Sequence, residues 1–303
     1  MSFFDTFSQM LVILFAIVVG FAANRLGFLD GPTNQKISQL LLNFTTPALI
    51  VASVLTGETL PELAEILSVL KVAALFYGLE GLFVLAVPPL LGGTPGQKGV
   101  WRYTLGFPNV GYIGFPVAVA LFGQGATFYA AILALPFNLL TFTLGPLLLG
   151  GGARFHWKQL VSPCTCASVL ALALALTRLR PPALVGEMLG FVGELTVPLA
   201  LVLVGSLLAA IPAKRVLGGV RVWVLTALRL LAEPLALWLV LRPMGITPLV
   251  MGIAVTQMAM PTAVNGTLLC MACGGDSEAM AQITFMTTLG SIVTIPLVAA
   301  LLL

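Results

Sequence analysis

Polar side chains are scarce in this chain, so the few that interrupt its apolar runs carry what chemistry it can do. Two asparagines stand out. Asn109 lies in Phe107-Pro108-Asn109-Val110-Gly111-Tyr112-Ile113-Gly114-Phe115-Pro116, and Asn265 lies in Thr256-Gln257-Met258-Ala259-Met260-Pro261-Thr262-Ala263-Val264-Asn265-Gly266-Thr267. Each sits among prolines and glycines, midway along a run long enough to span a bilayer. Proline has no amide donor and its ring clashes with the preceding turn, so neither run is expected to continue as one helix. A break at that depth leaves main-chain amides and carbonyls without partners. Lipid supplies none, so they must face protein, water or a ligand. An opened helix N-terminus carries roughly +0.5 of a charge. Two such ends meeting would hold a carboxylate without a buried arginine, and the carbonyl ends would suit a cation. The candidate binding set is Asn109, Gly111, Gly114, Gln257, Thr262 and Asn265. The asparagine amides can donate to an anion or cap their own half-helices. Gly111 and Gly114 allow close approach of main chain to a ligand or to a neighbouring helix. Gln257, about one turn before Pro261, faces either the site or a packed neighbour. Pro108, Pro116 and Pro261 are read as the residues that open the helices.

Four charges inside apolar runs need an account. Arg229 and Glu233 are four apart, so they can pair on one helix face. Glu80 has no local partner, and Glu194 lies well inside its run. An intramembrane carboxylate is a functional candidate by default, so Glu80 and Glu194 are the candidates for coupling transport to a proton. The alternative is a hydrogen-bonded glutamic acid at a domain interface. Thr46 and Thr196 sit beside prolines and are expected to bond their own helix carbonyls. Cys164, Cys166, Cys270 and Cys273 lie at or within apolar runs and read as small buried hydrophobes. A metal site would want histidine or carboxylate beside them, and His156 lies far off in a basic loop. No metal or cofactor is expected.

The elements that must position these residues follow from composition. Of 303 residues, 59% are hydrophobic and only 8% charged, with a mean hydropathy of +1.08. A soluble domain carries roughly 25% charged residues. The class is an all-α polytopic membrane protein, with the lipid bilayer as its surroundings. The net charge of +3 sits in short gaps between apolar runs and does not indicate nucleic acid. The first residues carry no basic segment, so the first run is expected to remain as a helix rather than a cleaved leader. Ten runs reach spanning length, near 5–24, 36–56, 64–90, 100–122, 127–149, 160–177, 188–210, 217–241, 246–272 and 279–301. An even number of spans puts both termini on one face. With the termini extracytoplasmic, Arg25, Lys36, Lys98, Arg102, Arg154, Lys158, Lys214, Arg215 and Arg221 fall inside. Arg178, Arg180 and Arg242 fall outside with the acidic loop of Glu58, Glu62 and Glu65, which satisfies the positive-inside rule.

The two halves repeat. Thr45-Thr46-Pro47-Ala48-Leu49-Ile50 resembles Thr196-Val197-Pro198-Leu199-Ala200-Leu201 at a shift of 151 residues from Pro47 to Pro198. The same shift carries Gly123 onto Gly274 and Asn43 onto Glu194. Residues 1–152 form the first five-helix repeat and 153–303 the second. Five is odd, so the second repeat enters the membrane inverted, as in secondary transporters. The interrupted fourth and ninth runs then occupy corresponding places, which points to a ligand site near the bilayer midplane.

The chain resembles the auxin efflux carrier family, plant carriers with many bacterial relatives. The resemblance is carried by Phe107 to Pro116, Ala120-Leu121-Phe122-Gly123, Asn138 and Gly145. It continues in Glu194 to Leu201, Met260-Pro261-Thr262-Ala263-Val264-Asn265 and Gly274-Gly275-Asp276. Val110 departs from it, as relatives often have threonine there. The long cytoplasmic loop of the long plant carriers is absent too, which points to a compact bacterial type in the cytoplasmic membrane. The resemblance implies ten helices in two inverted repeats, with the fourth and ninth crossing at their broken centres, as in sodium/proton antiporters and bile-acid symporters. It implies a transport domain, drawn from both repeats, that moves against a scaffold in an elevator-like cycle. It also implies small organic anions as substrates, auxin-like or carboxylates such as malate, with a proton or sodium as coupling ion and a scaffold-mediated homodimer. Two other readings stand beside this one. The same fold serves sodium- or proton-coupled carriers of sterol-like acids or cations, though exchangers of that kind hold paired acids near the crossing and none lies in 107–116 or 256–267. An integral-membrane enzyme would need clustered catalytic groups, and Asp5, Asp30 and Asp276 lie at span ends.

Overall fold

The computed structural model describes residues 3–56, 62–141, 143–150, 162–179, 181–209 and 218–302. Glu58, Arg154, His156, Lys158, Arg180, Lys214 and Arg215 lie outside the described residues, as does the side chain of Asn138. Among the described residues, helices lie in each of the ten expected runs. They are α1 (Phe3–Arg25), α2 (Gly31–Leu40), α3 (Thr46–Leu55), α4 (Leu63–Leu91), α5 (Pro95–Gly106), α6 (Phe115–Phe122), α7 (Ala126–Thr141) and α8 (Leu144–Leu148). The rest are α9 (Pro163–Thr177), α10 (Ala183–Gly193), α11 (Thr196–Ala209), α12 (Val220–Ala227), α13 (Glu233–Leu241), α14 (Pro248–Met258), α15 (Asn265–Ala272) and α16 (Ser277–Leu302). Among the described residues, five stretches are long and apolar enough to cross a membrane: Gly31–Leu55, Leu63–Leu91, Ala183–Ala209, Val220–Met244 and Ser277–Leu302.

Several of these stretches are interrupted, and the cause is written locally. Wide π-helical turns occupy Leu41–Thr45, Val110–Gly114 and Leu228–Ala232. Each ends two residues before a proline, Pro47, Pro116 or Pro234. Such a proline cannot donate to the carbonyl four residues back, and its ring presses on that carbonyl. The helix relieves the clash by widening one turn. At Pro198 the same deficit falls on the carbonyl of Glu194. There the structure has a turn, Glu194–Leu195, between α10 and α11. Glu194 is therefore not inside a continuous helix, and it is exposed.

The chain divides into two compact units. The first comprises residues 1–71, 111–138 and 161–210. In it, α1 packs along α11 at main-chain contact. A Cβ on Gly20 would lie 1.9 Å from the Val202 carbonyl oxygen, and one on Gly205 would lie 1.9 Å from that of Ile17. Only glycine permits this approach. The α3 helix packs on α9 and α10, where Gly193 lies against the Leu49 main chain. Several polar side chains of this unit pair with one another. The Ser206 hydroxyl donates to Asn34 Oδ1 at 2.8 Å and accepts from Asn24 Nδ2 at 3.1 Å. The Tyr129 hydroxyl donates to Glu65 Oε2 at 3.0 Å, and Ser38 pairs with Tyr112.

The second unit comprises residues 72–110, 139–160 and 211–303. Here α16 is the common wall, packed on α5, α12, α13, α14 and α15. Thr287 on α16 donates to the Ile283 carbonyl at 2.7 Å and accepts from the Thr262 amide at 3.2 Å. That bond ties the non-helical segment between α14 and α15 to the wall.

Candidate functional site

The site is built where two helices of the second unit stop. A capping box starts α5: Thr94 Oγ1 accepts from the Gln97 amide and Gln97 Oε1 accepts from the Thr94 amide, both at 3.2 Å. Pro108 ends it. The residue before a proline is driven toward extended backbone, and Phe107 sits at φ −136°, ψ 83°. In the same way α14 stops before Pro261. The two extended segments then pair antiparallel, with Pro108 opposite Thr262. The Asn109 amide donates to the Pro261 carbonyl at 2.7 Å, and the Ala263 amide donates to the Phe107 carbonyl at 2.9 Å. Main-chain groups freed by each break are thus satisfied by the other. Of the partners open to such groups, protein, water or a ligand, these two amides take protein. In a region without water, the nearest broken backbone is the strongest partner.

Carbonyls of the C-terminal ends of α5 and α14 meet a side chain. Arg229, fully buried in the wide turn before α13, donates from Nε to the Met260 carbonyl at 3.1 Å and from Nη2 to that of Met258 at 2.6 Å. From Nη1 it donates to the Leu105 carbonyl at 3.2 Å, to Glu80 Oε1 at 3.3 Å and to Glu233 Oε2. The Arg229–Glu233 pair is the one expected from their spacing. Glu80 does have a partner, on a helix distant in sequence. A guanidinium with five N–H groups can serve several acceptors from one plane. It also places a positive charge where two helix C-termini present partial negative charge. Sequence reasoning missed this clamp. A signal was present in the repeat: Glu80, shifted by 151, falls at position 231, between Arg229 and Glu233.

The sequence-derived set is distributed as follows. Asn109, Gln257, Thr262, Asn265, Pro108, Pro261 and Glu80 fall in the second unit. Gly111, Gly114, Pro116 and Glu194 fall in the first. Asn109 and Thr262 are buried at the crossing, and Asn265 opens α15 half-buried. Gln257, in the last turn of α14, is 0% exposed, and neither atom of its amide has a hydrogen-bond partner. A buried amide left this way costs about 1–3 kcal/mol, and a group that both accepts and donates would satisfy it. A Cβ on Gly111 would meet nothing within 4 Å. Pro116 does not open a gap. It lies in the first turn of α6 and widens the turn before it. One buried residue was not anticipated. Tyr103 stacks on Phe107 with ring centroids 4.7 Å apart, and its hydroxyl has no partner. Gly266 makes room for it, since a Cβ there would lie 2.4 Å from the Tyr103 ring.

Comparison with known proteins agrees with a chain of this kind. The profile of a family described as membrane transport protein matches in two copies, over residues 5–152 and 152–299. An uncharacterized transporter of Methanothermobacter thermautotrophicus is 23% identical over 301 residues, covering 98% of each chain.

Proposed function

The chain belongs to the membrane transport protein family, that of the auxin efflux carriers, and from that premise we propose that it is a secondary carrier of small organic anions. It is a multi-pass membrane transporter and not an enzyme. The finer reading is ours: ten spans in two inverted repeats, both termini extracytoplasmic, and a carboxylate bound beside the crossing of 107–110 with 260–263. Gln257 is the observation that carries it. A fully buried amide with two unpartnered atoms, about one turn from a helix break, fits a small polar ligand and fits lipid or a packed core poorly. Asn109, Thr262 and Asn265 would supply further polar contacts. Both compact units draw segments from both halves of the sequence. That supports scaffold and transport domains each assembled from both repeats, and an elevator-type cycle.

The test is uptake of labelled malate by purified protein in liposomes. Asn109→Ala combined with Asn265→Ala is expected to abolish uptake while leaving the protein monodisperse. Unaltered uptake in the double variant would move the site elsewhere.

A further inference from the structure

We propose that Glu80 and Glu233 share one exchangeable proton over Arg229, and that the carrier moves this proton with its anion; the second clause rests on the carboxylate-transport reading above. The argument begins with a hydrogen count. Arg229 Nη1 carries two hydrogens, yet three acceptors face it: the Leu105 carbonyl, Glu80 Oε1 and Glu233 Oε2. One acceptor is always short of a donor. The other two nitrogens are directed at Met258 and Met260. The remaining carboxylate oxygens, Glu80 Oε2 and Glu233 Oε1, have no partner, and the three side chains are at most 2% exposed. A proton on one carboxyl supplies the missing donor.

Charge leads to the same place. Two carboxylates against one guanidinium leave a net charge of −1 where neither water nor salt screens it. With one proton added the cluster is neutral. Among the described residues, no other buried charge corrects the sum. The elements around the cluster carry Glu65, Lys71 and Tyr77 on α4, Lys98, Arg102 and Tyr103 on α5, Arg221 on α12, Arg242 after α13 and Glu278 on α16, while α14 carries no ionisable group. Of these only Tyr103, an uncharged phenol, is buried. Sodium is not needed here, because the guanidinium already occupies the carbonyl ends that would suit a cation.

The cluster and the crossing share main chain. Arg229 holds Leu105 and Met260, and the crossing pairs Pro108 with Thr262. A carboxylate bound beside the crossing would be repelled by the deprotonated cluster and not by the neutral one. Proton and anion therefore favour each other's binding by the same factor in both directions. On the acidic side a carboxylate oxygen takes a proton from water and an O–H bond forms. On the other side that bond breaks and the proton returns to water. No electrons change hands, and the result is symport.

Two measurements separate the proton site from the transport reading. Infrared difference spectra of the purified protein in lipid, taken between acidic and alkaline buffer, should show a protonated-carboxyl carbonyl band that shifts in deuterated water. Glu80→Gln and Glu233→Gln should each remove the same band, since the carboxylate left behind is ion-paired one to one. Absence of the band, or its survival in either variant, overturns the shared proton. The second measurement is malate and malonate uptake into proteoliposomes with the voltage clamped. Wild type should accumulate substrate about tenfold per pH unit of inward proton gradient at one proton per anion. Both variants should lose that response, and their substrate exchange should become independent of pH. Uptake driven by sodium and indifferent to pH overturns the coupling. A titrating band with no uptake of either anion under any gradient overturns the carboxylate-transport reading and leaves the proton site standing.

Discussion

Arg229→Met is the substitution that the clamp makes most informative. Methionine fills much of the space and offers no donor. Its loss leaves two buried carboxylates facing each other and the carbonyls of Leu105, Met258 and Met260 without a hydrogen. Breaking a buried ion pair by removing one partner costs about 3–5 kcal/mol, and each stranded buried carbonyl about 1–3 kcal/mol. These share one group and do not add, so the expected floor is about 3 kcal/mol. At about 2 °C per kcal/mol for a chain of this size, the melting temperature falls by about 6 °C or more. It is read as the monodisperse fraction surviving a heating series in size-exclusion chromatography. Arg229→Lys keeps the charge but cannot reach all five acceptors from one point, so it falls between wild type and Arg229→Met. Adding Glu80→Gln and Glu233→Gln to Arg229→Met removes the uncompensated charge and supplies amide donors, so the triple variant recovers stability over the single one. Arg229→Met melting within about 1 °C of wild type would refute the clamp.

Gln257→Leu replaces an unpartnered buried amide with an apolar group, so stability stays level or rises by about 1 kcal/mol while malate uptake is lost. Gly205→Ala forces a Cβ to 1.9 Å from the Ile17 carbonyl; overpacking costs about 1–3 kcal/mol, visible as lower melting and a smaller monodisperse peak. Gly111→Ala, which meets open space, leaves melting unchanged, and a fall in uptake would mark Gly111 as lining the ligand path. Asp30 caps α2 by accepting from the Thr33 amide at 2.8 Å, and hydrogen bonds from the Thr33 side chain and then its main chain lower the Asp30 carboxyl below the ordinary 3.8. Its contribution is present above that ordinary value and is lost as pH falls through the lowered one. Faster Thr33 amide exchange only in strongly acidic buffer checks the sign.

Hydropathy and proline are local signals, and what they encode was readable. The ten apolar runs, the breaks at Phe107–Asn109 and Ala259–Val264, and the pairing of Arg229 with Glu233 all follow from spacing within one segment. What depends on distant chain was not readable. Glu80 and Arg229 are 149 positions apart, and no periodicity within either helix shows that they meet. The pairing of Asn109 and Ala263 amides across the crossing was hidden for the same reason, because a single break says which groups are freed and not what they find. Glu194 was placed by composition in the middle of a helix. The missing amide of Pro198, four residues on, was the local fact that put it in a turn instead.

Each wide turn contains one residue more than the regular helix would hold, and an inserted residue rotates everything beyond it by about 100°. The two ends of such a helix are therefore out of phase, and its faces cannot be read as one continuous stripe. For the stretch from Val220 to Leu241, the wide turn at Leu228–Ala232 decides which side of the helix carries Arg229 relative to Leu225 before it and Leu237 after it. Replacing Pro234 alone lets the turn tighten and swings one end away from its neighbours. Replacing it while deleting one residue of the turn restores the phase. Homologous chains that lack the proline should therefore be one residue shorter here.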